Sequence, residues 1–133
     1  DRFGIKPTIM DVSFAPGGFF HFFSRERVPC FGAADMPSGV FTLFHLVIRP
    51  ALWKAQGRVD DELVTVTVPV AEPFINDGDL TCYQRGLLAV GRVRPVRRQA
   101  PHQFSALASA NCLVRVPPQT RIDRGQPVRC LLL

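Results

Sequence analysis

The stretch that most constrains this chain is residues 28–56, VPCFGAADMPSGVFTLFHLVIRPALWKAQ. A short apolar run leads into a loop of Gly, Asp and Pro, and the loop opens into a segment that is apolar round most of a helical circumference. Strand, loop and helix in that order make one unit of an α/β layer. The loop before such a helix is where chemistry is expected first, because helix N-termini present free N–H groups. Val40, Phe44, Val47, Ile48 and Ala51 form one apolar face, and Phe41, Leu43 and Leu46 cover most of the rest. Thr42, His45 and Arg49 fall on a narrow polar stripe, expected to face solvent or a partner. Asp35 or Ser38 suits the cap and Pro37 the first turn. Pro50 lacks an N–H and clashes with the carbonyl of Leu46, so a kink or restart is expected there, with Gly57 as the stop.

Before this stretch, residues 8–14 alternate loosely enough for a strand, and Ala15-Pro16-Gly17-Gly18 is a strong turn signal. The run FFHFF over residues 19–23 resumes as a strand, with His21 expected as a packed or edge residue, and residues 24–27 make a polar turn. After it, residues 58–61 form a charged linker, and from residue 62 the pattern becomes all-β. Val64, Val66, Val68 and Val70 alternate with Thr65, Thr67 and Pro69, Asn76-Asp77-Gly78 is a hairpin-type turn, and residues 80–90 give a second strand. Residues 92–98 form a third, weak strand, 100–110 a loop or short helix, and 111–116 and 128–133 the last strands. The expected fold class is α+β. Residues 1–57 are the end of an α/β subdomain, and residues 58–133 are a small all-β, barrel-like subdomain.

Composition narrows the function classes. Hydrophobic residues are 47% and charged residues 20%, a folding composition. The longest apolar run, residues 40–48, is far shorter than the ~20 residues of a membrane span, so a soluble protein without membrane partners is expected. No charged-then-apolar leader precedes Asp1, so no secretory signal is expected, and the chain reads as a piece of a longer protein. Cys30, Cys82, Cys112 and Cys130 lie in strand-like apolar contexts with no CxxC or HxxxH spacing. Free buried thiols are expected, and no zinc site. Much of the net charge of +5 comes from Arg92, Arg94, Arg97 and Arg98. They are either a phosphate-binding stripe or the solvated face of an edge strand. No aromatic residues interleave with them, so nucleic acid is not the expected partner.

Several segments, in order, carry a resemblance. They are Ile5-Lys6-Pro7, the aromatic strand, C-F-G-x-x-x-x-P over residues 30–37, and the helix LVIRPALWKAQG. Tyr83-Gln84-Arg85-Gly86, His102-Gln103, Ser109-Ala110-Asn111-Cys112, Pro117-Pro118-Gln119-Thr120 and Asp123-Arg124-Gly125 follow. This ordered set resembles the molybdopterin molybdenumtransferase family, which includes bacterial MoeA proteins and the E domains of gephyrin and plant Cnx proteins. The resemblance implies that residues 1–57 end a molybdopterin-binding α/β subdomain. It further implies insertion of molybdate into adenylylated molybdopterin, with Mg2+ involved, in a cytoplasmic homodimer whose cleft lies between the subdomains of two chains. Asp35 and Ser38 would then be catalytic, and Lys6, Pro37, Arg85 and His102 substrate-binding. Read without the resemblance, Arg85 is equally a surface salt-bridge partner and His102 a loop residue satisfied by backbone.

Departures from the family pattern fall at the loop. Where the family reads approximately P-G-N-P-x-S, this chain has Ala34-Asp35-Met36-Pro37-Ser38-Gly39. Asp35 in place of Gly adds a negative charge and a Cβ where an anion is expected, and Ser38 stands one position early. Residues 8–13 replace a second lysine and glycine, and Pro101 stands where glycine is usual. The Gly-rich and acidic motifs that cradle the pterin in the family are not in this chain, which by itself is not expected to turn over. The alternative is a non-catalytic binding or scaffold module of the same fold. A weaker third reading is an anion- or nucleic-acid-binding β barrel using residues 92–98.

Overall fold

Glu26 and Arg27 both adopt positive φ, 52° and 69°, the backbone that a two-residue hairpin turn requires. They join β3 (Phe20–Arg25) to β4 (Val28–Ala33), with Arg25 opposite Val28. β1 (Ile9–Met10) pairs antiparallel with the other edge of β3 and completes a three-stranded sheet. The computed structural model describes residues 8–33, 36–59, 63–97 and 104–133.

The strand expected over residues 8–14 is split. β2 (Phe14–Ala15) leaves the first sheet and pairs in parallel with β7 (Thr81–Ala89), Phe14 opposite Thr81. Among the described residues the main sheet contains six strands, running β2, β7, β9 (Cys112–Val116), β11 (Pro127–Leu132) and β5 (Thr65–Pro69), with β8 (Arg92–Pro95) also paired to β7. One face packs Val70, Phe74, Val93, Cys112, Val114, Val116, Val128 and Cys130 into the core, against Val66, Val68 and Ile122. The class is α+β, as expected, but the barrel does not close. The end of β5 reaches β8 through a single bridge, Val70 to Val93, so the sheet curls without a closing ladder.

The segment Asn76-Asp77-Gly78 also departs from expectation. It does not join two paired strands. β6 (Phe74–Asn76) pairs with β10 (Thr120–Ile122), and the turn instead carries the chain from that ribbon to β7. Asn76 forms the corner. Its Nδ2 donates to the carbonyls of Leu80, Val116 and Pro117 at 2.9, 3.0 and 2.8 Å, and its Oδ1 accepts from the Gly78 N–H at 3.1 Å. All four cysteines are free, as expected, but only Cys112 and Cys130 are buried, while Cys30 and Cys82 are half-buried.

Helix α1 (Pro37–Leu43) has Pro37 in its first turn, but the cap position falls on Met36, which offers no side-chain acceptor, and Ser38 lies inside the helix. A π turn (Phe44–Ile48) follows, and α2 (Arg49–Ala55) continues to Gln56. The disruption expected at Pro50 is therefore taken up just ahead of it. Proline cannot donate to the Leu46 carbonyl and crowds it, and a widened turn, in which the Arg49 N–H bonds to the Phe44 carbonyl, accommodates both effects. The polar stripe does not face solvent: Thr42 is buried and His45 and Arg49 are half-buried. Thr42 is fully buried and donates to the Ser38 carbonyl at 2.9 Å. His45 contacts the rings of Phe41 and Phe44, and Arg49 lies over the Trp53 ring and reaches the Leu132 carbonyl. Val40, Phe44 and Leu52 are left exposed instead. The short α3 (Phe104–Ala108) packs beside α1. Among the described residues no helix is long and apolar enough to cross a membrane.

Candidate functional site

Gly17 and Gly39 bring the start of α1 against the turn after β2. A Cβ on Gly39 would meet the Gly17 carbonyl oxygen at 3.0 Å, and one on Gly17 would meet the Phe14 carbonyl oxygen at 2.6 Å. This close approach sets Ser38 beside the edge of the main sheet. A cleft of about 420 Å³ opens there, lined by Ala15, Pro16, Ser38, Ile75, Cys82, Tyr83, Gln84 and Arg85. Its walls come from four places: the β2 turn, the first turn of α1, β6 and β7.

Ser38 is only 2% exposed, and its Oγ has no hydrogen-bond partner among the described residues. A buried hydroxyl without a partner is costly, so it marks a place where a ligand oxygen would be welcome. Arg85 is 3% exposed on β7. Burial pulls its pKa below the usual arginine value, an effect partly offset by Cys82, yet a guanidinium stays protonated at neutral pH. Burial also pushes the Cys82 thiol up, against the opposing influence of Gln84 and Arg85, so Cys82 is a neutral thiol and not a nucleophile. A buried cation facing the same space as an unpartnered hydroxyl is suited to hold an oxyanion by charge-assisted hydrogen bonds.

Of the residues singled out from sequence, Ser38 and Arg85 meet in this cleft. Pro37 does not. It lines a separate apolar depression with Val40, Phe41, Phe44 and Leu107. Lys6, Asp35 and His102 lie outside the described residues. Sequence reasoning missed Cys82, Tyr83, Gln84 and Ile75 as lining residues. The block Tyr83-Gln84-Arg85 is visible as a motif, but which neighbours of an arginine share its cleft depends on the pairing of β2 and β6 around it. Among the described residues no group of three or more His, Cys, Asp or Glu side chains is placed to hold a metal. The described lining supplies two hydroxyls (Ser38 and Tyr83), an amide, a thiol and a guanidinium but no carboxylate, a donor set that does not fit Mg2+.

Fold and cleft define the class: an α+β module with an oxyanion-suited cleft where a helix start meets a sheet edge. Residues 67–133 match the family described as MoeA C-terminal region (domain IV), and the chain belongs to that family. Among solved structures it is similar to a molybdopterin biosynthesis MoeA protein from Pyrococcus horikoshii OT3, with 21% identity and a TM-score of 0.80 over 97% of this chain and 33% of that one. It is also similar to a molybdenum cofactor biosynthesis protein from Pyrococcus furiosus, with 24% identity and a TM-score of 0.81 over 97% of this chain and 46% of that one. At these identities the likeness concerns the fold, and the chain spans less than half the length of either structure. A comparison with curated proteins gave no match.

Proposed function

We propose that this chain is the C-terminal part of a molybdopterin molybdenumtransferase, which inserts molybdate into adenylylated molybdopterin. The observation that carries the reading is the unpartnered, buried Ser38 hydroxyl sharing a cleft with buried Arg85. Molybdate is a tetrahedral dianion. Arg85 would hold one of its oxygens through a charge-assisted bond, and the Ser38 hydroxyl would donate to another in surroundings where water screens little. The relatives' role in molybdenum cofactor biosynthesis and the family membership support the same reading. Residues 1–57 then end the molybdopterin-binding-like α/β subdomain, residues 58–133 form the C-terminal subdomain, and the parent protein acts as a cytoplasmic homodimer. Lys6 and His102 are carried over as substrate contacts from the resemblance alone, whereas Pro37, which lines a separate depression, does not share the cleft. The described lining does not suit Mg2+, and Ser38 and Arg85 are the groups proposed to hold the oxyanion at this wall of the cleft.

The test is conversion of adenylylated molybdopterin to active cofactor by the full-length parent protein. Ser38→Ala and Arg85→Gln are each expected to lower the rate by about tenfold or more, the scale of one lost charge-assisted contact. Asp35→Gly is expected to raise it, since the sequence puts a negative charge in the loop just ahead of Ser38 and removing it lessens repulsion of an anion. Absence of turnover in both the parent and the Asp35→Gly variant would overturn the enzyme reading.

A second reading, a non-catalytic assembly module, is favoured by the depression lined by Pro37, Val40, Phe41, Phe44 and Leu107, whose lining is almost wholly apolar. Size-exclusion chromatography with light scattering bears on both readings. A strictly monomeric full-length protein argues against a shared dimeric cleft and against a dimeric scaffold alike.

A further inference from the structure

We propose that Tyr83, Arg115 and Arg129 form a binding site for an organic phosphate on the outer face of the main sheet. Tyr83 on β7 stands opposite Arg115 on β9. β9 meets β11 at Val114 opposite Cys130, and Arg115 and Arg129 are the next residues outward from that pair, side by side on adjacent antiparallel strands. Tyr83, Arg115, Arg129 and Leu131 line one depression of about 360 Å³.

Two exposed guanidiniums facing each other across a ladder repel, and like charges so placed lower stability. Among the described residues, the positions beside them on neighbouring strands carry no carboxylate. The residue beyond Arg129 is Thr67 on β5, and the residue beyond Arg115 is Tyr83. Among the described residues neither arginine forms an ion pair, in contrast to Arg121, which binds Asp123 at 2.7 Å. An anion placed between the two would convert the repulsion into a pair of attractions. Adjacent strands lie about 4.8 Å apart, a separation that one tetrahedral phosphate can bridge with bonds to both guanidinium forks. The Tyr83 hydroxyl adds a donor, and its ring together with Leu131 offers an apolar wall for the organic part of the ligand.

The bounded shape favours a small ester over a polymer backbone. The arginines of β8 do not extend the patch, because β8 pairs with the opposite edge of β7 from β9. Tyr83 is also held in place, its ring edge-on to Phe14 with centroids 5.3 Å apart, and it lines the Ser38–Arg85 cleft as well. The phosphate site therefore adjoins that cleft but draws its charge from different residues.

The test is isothermal titration and thermal denaturation of the full chain with inorganic phosphate and AMP as probes, using R115Q, R129Q, R121Q and S38A variants. AMP is expected to bind the parent chain and raise its melting temperature. R115Q and R129Q should each weaken binding about tenfold or more, while R121Q and S38A bind as the parent does. Without ligand, R115Q and R129Q should melt at or above the parent temperature, a sign that the repulsion has been relieved. Equal AMP binding by the parent, R115Q and R129Q would overturn the proposal, as would no binding by the parent. Loss of binding in S38A alone would assign the phosphate to the cleft instead, and competition by duplex DNA as strong as by AMP would assign the surface to a polymer.

Discussion

Ser38 and Arg85 line one cleft, Ser38 from the first turn of α1 and Arg85 from the middle of β7, and both are almost fully buried. The helix starts against the turn after β2, and β7 pairs with β2, so that short strand links the two.

Ser38→Ala separates binding from stability. The hydroxyl has no partner among the described residues, so the folded chain carries its desolvation penalty, about 1–3 kcal/mol for such a group. The urea midpoint of the alanine variant is expected to stay level or rise while molybdate binding weakens. A fall in both would mean that the hydroxyl serves packing rather than ligand.

Asn76→Ala is expected to be severely destabilising. One side chain satisfies three carbonyls and one N–H at the corner where the β6–β10 ribbon meets β7. Removing it leaves several backbone groups without partners, at a cost of roughly 3 kcal/mol. Urea unfolding monitored by circular dichroism measures it, and a loss below about 1 kcal/mol would show that water replaces the amide readily.

Gly86 tests the core through a pair. A Cβ there would meet Cys112 Sγ at 2.7 Å and Val93 Cγ2 at 2.9 Å, so Gly86→Ala should cost about 1–3 kcal/mol by overpacking. Removing the sulfur makes room. The double variant with Cys112→Ala is expected to lose less than the two single losses combined, and strict additivity in a double-mutant cycle would contradict the contact.

His45 gives the fold a pH dependence. Burial, and then the charge of Arg49, hold its pKa below the ordinary histidine value of 6.5. The unfolded chain therefore binds a proton that the folded chain refuses, and stability is present above that value and declines as pH falls below it. Denaturant midpoints at about pH 7.5 and pH 5.5 should differ more for the parent chain than for His45→Gln. An identical difference in both would assign the dependence to another group.

The helix is where local reading and structure diverge most instructively. Pro37 in the first turn, disruption at Pro50 and an end near Gly57 follow from backbone chemistry, and each is legible in the residues. The outward direction expected for Thr42, His45 and Arg49 rests on their polarity, and packing of the helix overrides it, burying Thr42 and half-burying the other two. Thr42 bonds its own helix, while Arg49 finds Trp53 and a carbonyl of β11. The segment Asn76-Asp77-Gly78 is likewise legible as a turn, but the strand that pairs with β6 lies far along the chain at β10.

The residues by themselves determined the local alphabet of this protein. The Val/Thr alternation made β5, the polar residues 24–27 marked the β3–β4 turn, proline placed the break in the helix, and the ordered motifs pointed to the family. Tertiary structure decided what shares a wall with what: Ser38 with Arg85, Arg115 with Arg129, and Pro37 with neither. The physical reason is range. Dihedral preference and periodicity act over a few neighbours, whereas a site is made by non-local strand pairing and burial, whose outcome depends on the whole sheet.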